Sequence, residues 1–250
     1  MSDTPILPPE EPKPEARKPS LLRKWRRHLI ELAIVVAGVG LALAAQQAVE
    51  WLRWQGEVKA ARQAIHAEMR FNNNAFFARY IAVAPCLQKQ TSEAARILDD
   101  LEARRPPASF TVFQSGSGTT LRDSEWQAER EAQTLTHFPR AELALLGNYY
   151  AQLGNFSDWM RQEAGAWREL SVLRRPPKDL PASDLLRLRT QVEVVTNAQW
   201  LTVLNAGRQL RVSRQLGIAI APIDQERIEK FCTSNVEDYR TYINSLEPRP

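Results

Sequence analysis

The chain has 250 residues, a net charge of +4, only 10 glycines, and two cysteines. Scarce glycine beside abundant Ala, Leu, Arg, Glu and Gln favours helix, because unbranched side chains lose little rotamer freedom there; strand-like alternation is confined to short places, and an all-α protein is predicted. The small, scattered charge excludes the concentrated basic face that nucleic-acid binding requires.

Residues 1–28 form the first predicted element, a disordered basic tail. Pro5, Pro8, Pro9, Pro12, Pro14 and Pro19 punctuate a charged stretch that cannot bury a core. It is too short for an output domain. Residues 29–48 are predicted to cross a membrane. From Leu29 to Ala45 the only charge is Glu31, and 17 residues rising about 1.5 Å each give roughly 25 Å, which Gln46, Gln47 and Ala48 extend toward a full span. Glu31 lies four residues after Arg27 and is expected to pair with it near the headgroups. Trp25 and Trp51 are 26 residues apart, about 39 Å along a helix, which suits the two interfacial belts; Trp54, Arg26 and Arg27 are the further anchors.

The competing reading is a signal peptide cut near Ala42-Leu43-Ala44. The long Pro-rich leader, an apolar run beyond the usual h-region and the unbroken helical pattern after Ala45 oppose it. Seven Lys or Arg within residues 9–28 against three within 46–65 place the N-terminus in the cytoplasm and residues 49–250 outside it.

After the span a helix continues toward Pro85, which is expected to kink or end it. Ala33, Ala37, Gly40, Ala44, Gln47, Trp51, Trp54, Val58, Ala61 and Ile65 recur at alternating spacings of four and three. The small residues from Ala33 to Gln47 permit close helix approach, a candidate dimer seam. The alternative is that Ala and Gly are ordinary in spans and that the outer half packs on its own domain. A second helix follows through Leu87, Ala94, Ile97, Leu98 and Leu101 and stops at Pro106 and Pro107. A long loop then holds a strand-like piece at Phe110 to Phe113. Helix resumes near Ser124, pauses at Pro139, and carries an apolar face through Leu143, Leu146, Tyr150, Leu153, Phe156, Met160, Trp167 and Leu170. Ser183 is expected to cap a long helix through Leu204, ended by Gly217 and Pro222; Asp224 is expected to cap a last short one reaching Phe231 and Cys232. The architecture expected is a bundle of four or five helices led by the membrane helix.

Few constellations suggest chemistry. His28, His66 and His137 have no Cys, Asp or Glu at metal-ligand spacing, and no cofactor motif is present. The run Gln114 to Thr120 lacks Gly-x-Ser-x-Gly and has no Lys after its glycines, so it is neither a nucleophile elbow nor a P-loop. Ser115, Ser117, Arg122 and Asp123 stand as candidates for lining a ligand loop. Asp99–Asp100 and Glu129–Glu131 read as solvated helix faces, and the aromatics Trp126, Tyr149, Tyr150, Phe156, Trp159 and Trp167 as core.

The run Glu31 to Leu43, then Gln46-Gln47 and Glu50-Trp51, with Cys86-Leu87 and the later Trp126, Tyr150 and Trp167, resembles uncharacterised bacterial single-span proteins. The resemblance implies a small inner-membrane protein with a helical periplasmic domain and transfers no catalytic residues. The function expected is a membrane-anchored interaction or scaffold protein, not an enzyme and without a cofactor, with the bilayer, a protein partner and a second copy of itself as partners. The alternatives are a periplasmic small-molecule sensor acting through a partner and a hydrolase built on the 114–120 loop.

Cys86 and Cys232 fall in the oxidising compartment by this topology, each near a predicted helix end, and are expected to form an intramolecular disulfide. Two buried thiols, or pairing between chains, are the alternatives.

Overall fold

The structure, a computed structural model, describes residues 21–107, 120–176 and 179–233, and no strand occurs among them. The expected tail, the piece at Phe110 to Phe113, and Ser115 and Ser117 lie outside these residues. Seven α-helices are described: α1 (Leu21–Asn72), α2 (Ala78–Glu102), α3 (Ser124–Glu131), α4 (Arg140–Ala151), α5 (Leu153–Leu170), α6 (Ala182–Gln215) and α7 (Gln225–Thr233). Five of them exceed ten residues, in line with the expected count. The chain divides at Arg53–Trp54 into two compact units.

In the first unit α1 carries an 18-residue window of mean hydropathy 2.1, all of it exposed. In the second, α6 packs along both α2 and α5, and α7 lies against α2. Two apolar clusters form the core. One gathers Ile65, Met69, Phe76, Phe77, Leu87, Leu146, Phe156, Leu210 and Phe231. The other gathers Ile97, Leu98, Trp167, Leu170, Leu188 and Val195. Along each of the three long helices, buried polar residues intervene between the clusters: Gln90 and Thr91 on α2, Glu163 on α5, Gln199 and Thr202 on α6. The Tyr80 hydroxyl donates to Glu163 at 2.8 Å, and Gln199 reaches the same carboxylate at 3.4 Å. Tyr80 on α2, Glu163 on α5 and Gln199 on α6 meet only when the three helices are in register, so these bonds fix the relative slide of the helices.

Pro85 does not end the helix. It sits inside α2 on the exposed side, while Val83, Ala84 and Leu87 beside it are buried. Pro85 cannot donate the bond of a regular turn, and the packing of its neighbours holds the helix together. The irregularity comes earlier, as a π turn at Asn73–Phe77 joining α1 to α2. Its extra residue rotates the helix face, and Phe76 and Phe77 both enter the core, 5.4 Å apart. Asn73 and Asn74 tie the turn to the far end of the chain: Asn73 Oδ1 accepts from Ser213 and Tyr149, each at 3.2 Å, and Asn74 Oδ1 accepts the Ala221 N–H at 2.9 Å.

The outer half of the heptad-like stripe packs on its own unit. Ala61 and Ile65 are buried in the first cluster with Val58 against it, and Trp54 stacks on His137 at 3.8 Å. Arg62 forks onto Glu142 at 2.6 and 2.9 Å, fastening α1 to α4. Helix ends follow local chemistry. Gly217, at φ +71°, closes α6 with the Ile218 N–H on the Ser213 carbonyl at 2.9 Å and its own on Arg214 at 3.0 Å, a Schellman cap. Asp224 caps α7 through the Arg227 N–H at 3.1 Å, as expected. Ser183 is not the cap of α6, which starts one residue earlier with Pro181 at the cap position.

Candidate functional site

The candidate ligand-loop residues Arg122 and Asp123 lie at the start of α3, where α1 holds them. Asn72 clamps Arg122 through both ends of its amide, donating to the Arg122 carbonyl at 2.7 Å and accepting its N–H at 2.8 Å. The Arg122 guanidinium lies 3.5 Å over the Phe71 ring, a cation–π contact. Asp123 accepts the Gln127 N–H on its carbonyl at 2.9 Å, so its main chain opens α3.

One turn before Asn72, the buried Glu68 receives the start of that helix. Its carboxylate accepts the Glu125 N–H at 2.9 Å, the Ser124 hydroxyl at 3.1 Å and the Trp126 N–H at 3.4 Å. The Tyr150 hydroxyl donates at 2.8 Å to Oε1, the oxygen that also accepts the Trp126 N–H. The N–H groups that open a helix have no partner within it, and a carboxylate supplied from 56 to 58 residues away caps them here. Trp126 stacks flat on Tyr150 at 4.8 Å and shields the carboxylate.

Electrostatics make this node a clamp. Burial, then the Glu68 charge, pushes the Tyr150 phenol far above its ordinary range; burial does the same to Tyr149, and burial with Glu163 to Tyr80. All three phenols remain donors at any physiological pH. Four donors surround the Glu68 carboxylate and occupy its hydrogen-bond acceptor sites. His66, two residues earlier, has its affinity for a proton lowered, chiefly by burial, with Arg62 and Arg70 adding to the effect and Glu142 opposing it; its buried Nε2 has no hydrogen-bond partner. Among the described residues no group of three or more His, Cys, Asp or Glu is placed to hold a metal.

Cys86 and Cys232 are bonded, with Cα atoms 5.6 Å apart. The bond joins the middle of α2 to the last turn of α7, so Cys86 lies within a helix, in contrast to the expected helix end. The other sequence-derived positions stay apart. Trp25 and Trp51 are 68 % and 60 % exposed on α1, and Ala33, Ala37, Gly40, Ala44 and Gln47 are exposed along it. Glu31 lies 3.4 Å from His28. Asp99 and Asp100 serve surface ion pairs with Arg189 and Arg105, both at 2.7 Å.

The Glu68 node escaped sequence reading although a signal existed. Glu68 and Asn72 occupy the stripe of Ile65, Met69 and Phe76, and a carboxylate and an amide on an apolar face demand buried partners. No protein-family profile matches this chain, and neither a curated protein nor a solved structure does so.

Proposed function

We propose that the chain is a single-span membrane protein whose helical unit, held outside the cytoplasm, works by binding a protein partner. The observation that carries this reading is the wholly exposed 18-residue apolar window of α1. Left in water, such a surface drives aggregation; in a bilayer it meets its own solvent. Helix α1 runs unbroken from Leu21 to Asn72, through the small residues at 42–44, which supports retention of the span, since a peptidase requires an extended backbone. The excess of Lys and Arg before the span supports a cytoplasmic N-terminus, and the Cys86–Cys232 bond fits an oxidising compartment. The exposed small residues from Ala33 to Ala44 suit association of two copies. The Glu68 clamp and the polar layer favour a rigid body that presents a surface. Tethering confines that surface to the plane of the membrane and raises its effective concentration toward other membrane proteins.

Alkaline phosphatase fused after Pro250 is expected to be active, and the same enzyme fused after His28 inactive; the reverse pattern contradicts the topology. A photoreactive residue at Trp200, which is 59 % exposed one turn from the exposed Leu204, is expected to give a discrete protein adduct in cells, and its absence contradicts the binding role.

A further inference from the structure

We propose that the outward face of the second half of α6 docks an acidic amphipathic helix of another protein. The assignment rests on the binding role proposed above and names the chemistry of the partner. Trp54, Trp126, Trp159 and Trp167 are buried or half-buried, whereas Trp200 is 59 % exposed and Leu204, one turn on, is 37 % exposed. About three turns and 16 Å beyond Trp200, Arg211 returns to the same face with Arg208 and Arg214 beside it, all three exposed. Trp and Arg are the side chains that most often anchor protein interfaces.

The charge at this end of the unit selects the partner. No Asp or Glu occurs between Glu193 and Asp224. The bonds from Thr91 to Gln199 and from Arg189 to Asp99 set α2 antiparallel to α6, so the stretch from Arg79 to Ser92 runs beside these residues. It carries Arg79 and Lys89 but no acid. On the other flank Asn148, Ala151 and Gln152 border Asn205 and Arg208, and residues 143–157 are uncharged. Arg105, Arg161, Arg187 and Arg189 elsewhere on the surface each sit beside a carboxylate. Arg208 instead donates to the uncharged Asn205 at 3.1 Å. Three exposed cations on a stretch that has no carboxylate of its own, nor any on these two flanks, favour an acidic surface.

The shape of the stripe selects a helix. Trp200, Leu204 and Arg211 lie in a line along α6, and a second helix laid antiparallel about 8–10 Å away follows it. The first turns of that helix then meet Arg208 and Arg211, and apolar residues one turn apart, further along it, meet Leu204 and Trp200. Carboxylates in those first turns are favoured by the macrodipole of the partner helix as well. A free anion would neutralise the guanidinium groups and leave Trp200 and Leu204 in water. A lipid surface is broader than the stripe. Two turns before Trp200 the same face carries Glu193, and Asp99 and Glu102 lie at Arg189, so anionic headgroups meet repulsion there.

The test places a benzophenone amino acid at Asn197, an exposed position one turn before Trp200, in the full chain; cells are irradiated and the adduct is sequenced by mass spectrometry. A discrete adduct is expected whose cross-linked stretch, over about a dozen residues, carries more Asp and Glu than Lys and Arg. Arg208→Glu with Arg211→Glu is expected to lower its yield at least about tenfold, and Trp200→Ala by a similar factor. Arg208→Lys with Arg211→Lys keeps the charge and is expected to retain most of the yield. Circular dichroism establishes that each purified variant is folded, and Arg211→Glu alone replaces the pair where the pair does not fold. No adduct from Asn197, a yield indifferent to the charge reversal, or a cross-linked stretch without an acidic excess would each overturn the assignment. So would an adduct to lipid, to a second copy or to residues 234–250 of the same chain. The binding role itself stands or falls on the adduct from Trp200, so the two failures are told apart.

Discussion

Replacing Glu68 by Ala removes the one side chain that ties α1 to the start of α3 and to Tyr150 at once. The perturbation deletes the acceptor of two opening N–H groups of α3, of the Ser124 hydroxyl and of the Tyr150 hydroxyl. Loss of a helix cap destabilises by about 1 kcal/mol. Loss of a hydrogen bond to a charged group, with the phenol left buried, adds about 1.5–3 kcal/mol. The removed carboxylate also loses its own burial penalty on leaving, so the net expected is about 3 kcal/mol, at the lower end of the sum. For a folded unit of this size that lowers Tm by about 6–12 °C. The assay is a thermal melt of the full chain in detergent without reductant, read at 222 nm. Tyr150→Phe leaves three of the four donors in place and is expected to lose only about 1 kcal/mol. In the double variant the two losses are expected to fall short of their sum, because both remove the same bond. Glu68→Ala melting within about 2 °C of the parent, equivalent to less than about 1 kcal/mol, would refute the clamp.

Cys86→Ser with Cys232→Ser opens a loop spanning 146 residues, which in the chain-entropy limit removes on the order of 5 kcal/mol; a clear fall in Tm is expected, and two reactive thiols in denatured, unreduced protein from membranes would contradict the bond. In that cysteine-free background, Ala37→Cys, Gly40→Cys and Ala44→Cys are expected to cross-link in membranes more than Val35→Cys or Ala42→Cys on the opposite side; uniform cross-linking contradicts the seam. Burial lowers the proton affinity of His66 in the folded chain, so the unfolded chain binds the proton more readily. The contribution of His66 is therefore fully present above about pH 6.5 and is lost as pH falls from there toward the lower folded value. His66→Gln is expected to flatten the pH dependence of Tm in that window, and an unchanged slope contradicts it.

What could be read ahead of the structure was local. The apolar run at 29–45, the apolar faces of α5 and α6, the cap at Asp224 and the stop at Gly217 each rest on neighbours within a turn or two. The pairing of Cys86 with Cys232 followed from their number and an inferred compartment, although the helix end expected at Cys86 did not exist. Pro85 misled because helix propensity counts the lost bond and the ring clash but not the packing of Val83, Ala84 and Leu87, which outweighs them. The π turn was hidden because periodicity assumes a constant 3.6 residues per turn, and Asn72-Asn73-Asn74 reads locally as a polar interruption. The Glu68 clamp and the Glu163 layer join residues tens of positions apart, and no local pattern names the partner of a buried carboxylate.

The anchor itself is tested most directly by the chain recovered from cells with an epitope before Met1 and a second after Pro250. Membranes washed with alkaline carbonate are expected to retain a single product carrying both epitopes, with the C-terminal one digested by protease in spheroplasts and the N-terminal one protected. A soluble product that begins near Ala45 and lacks the N-terminal epitope would contradict it.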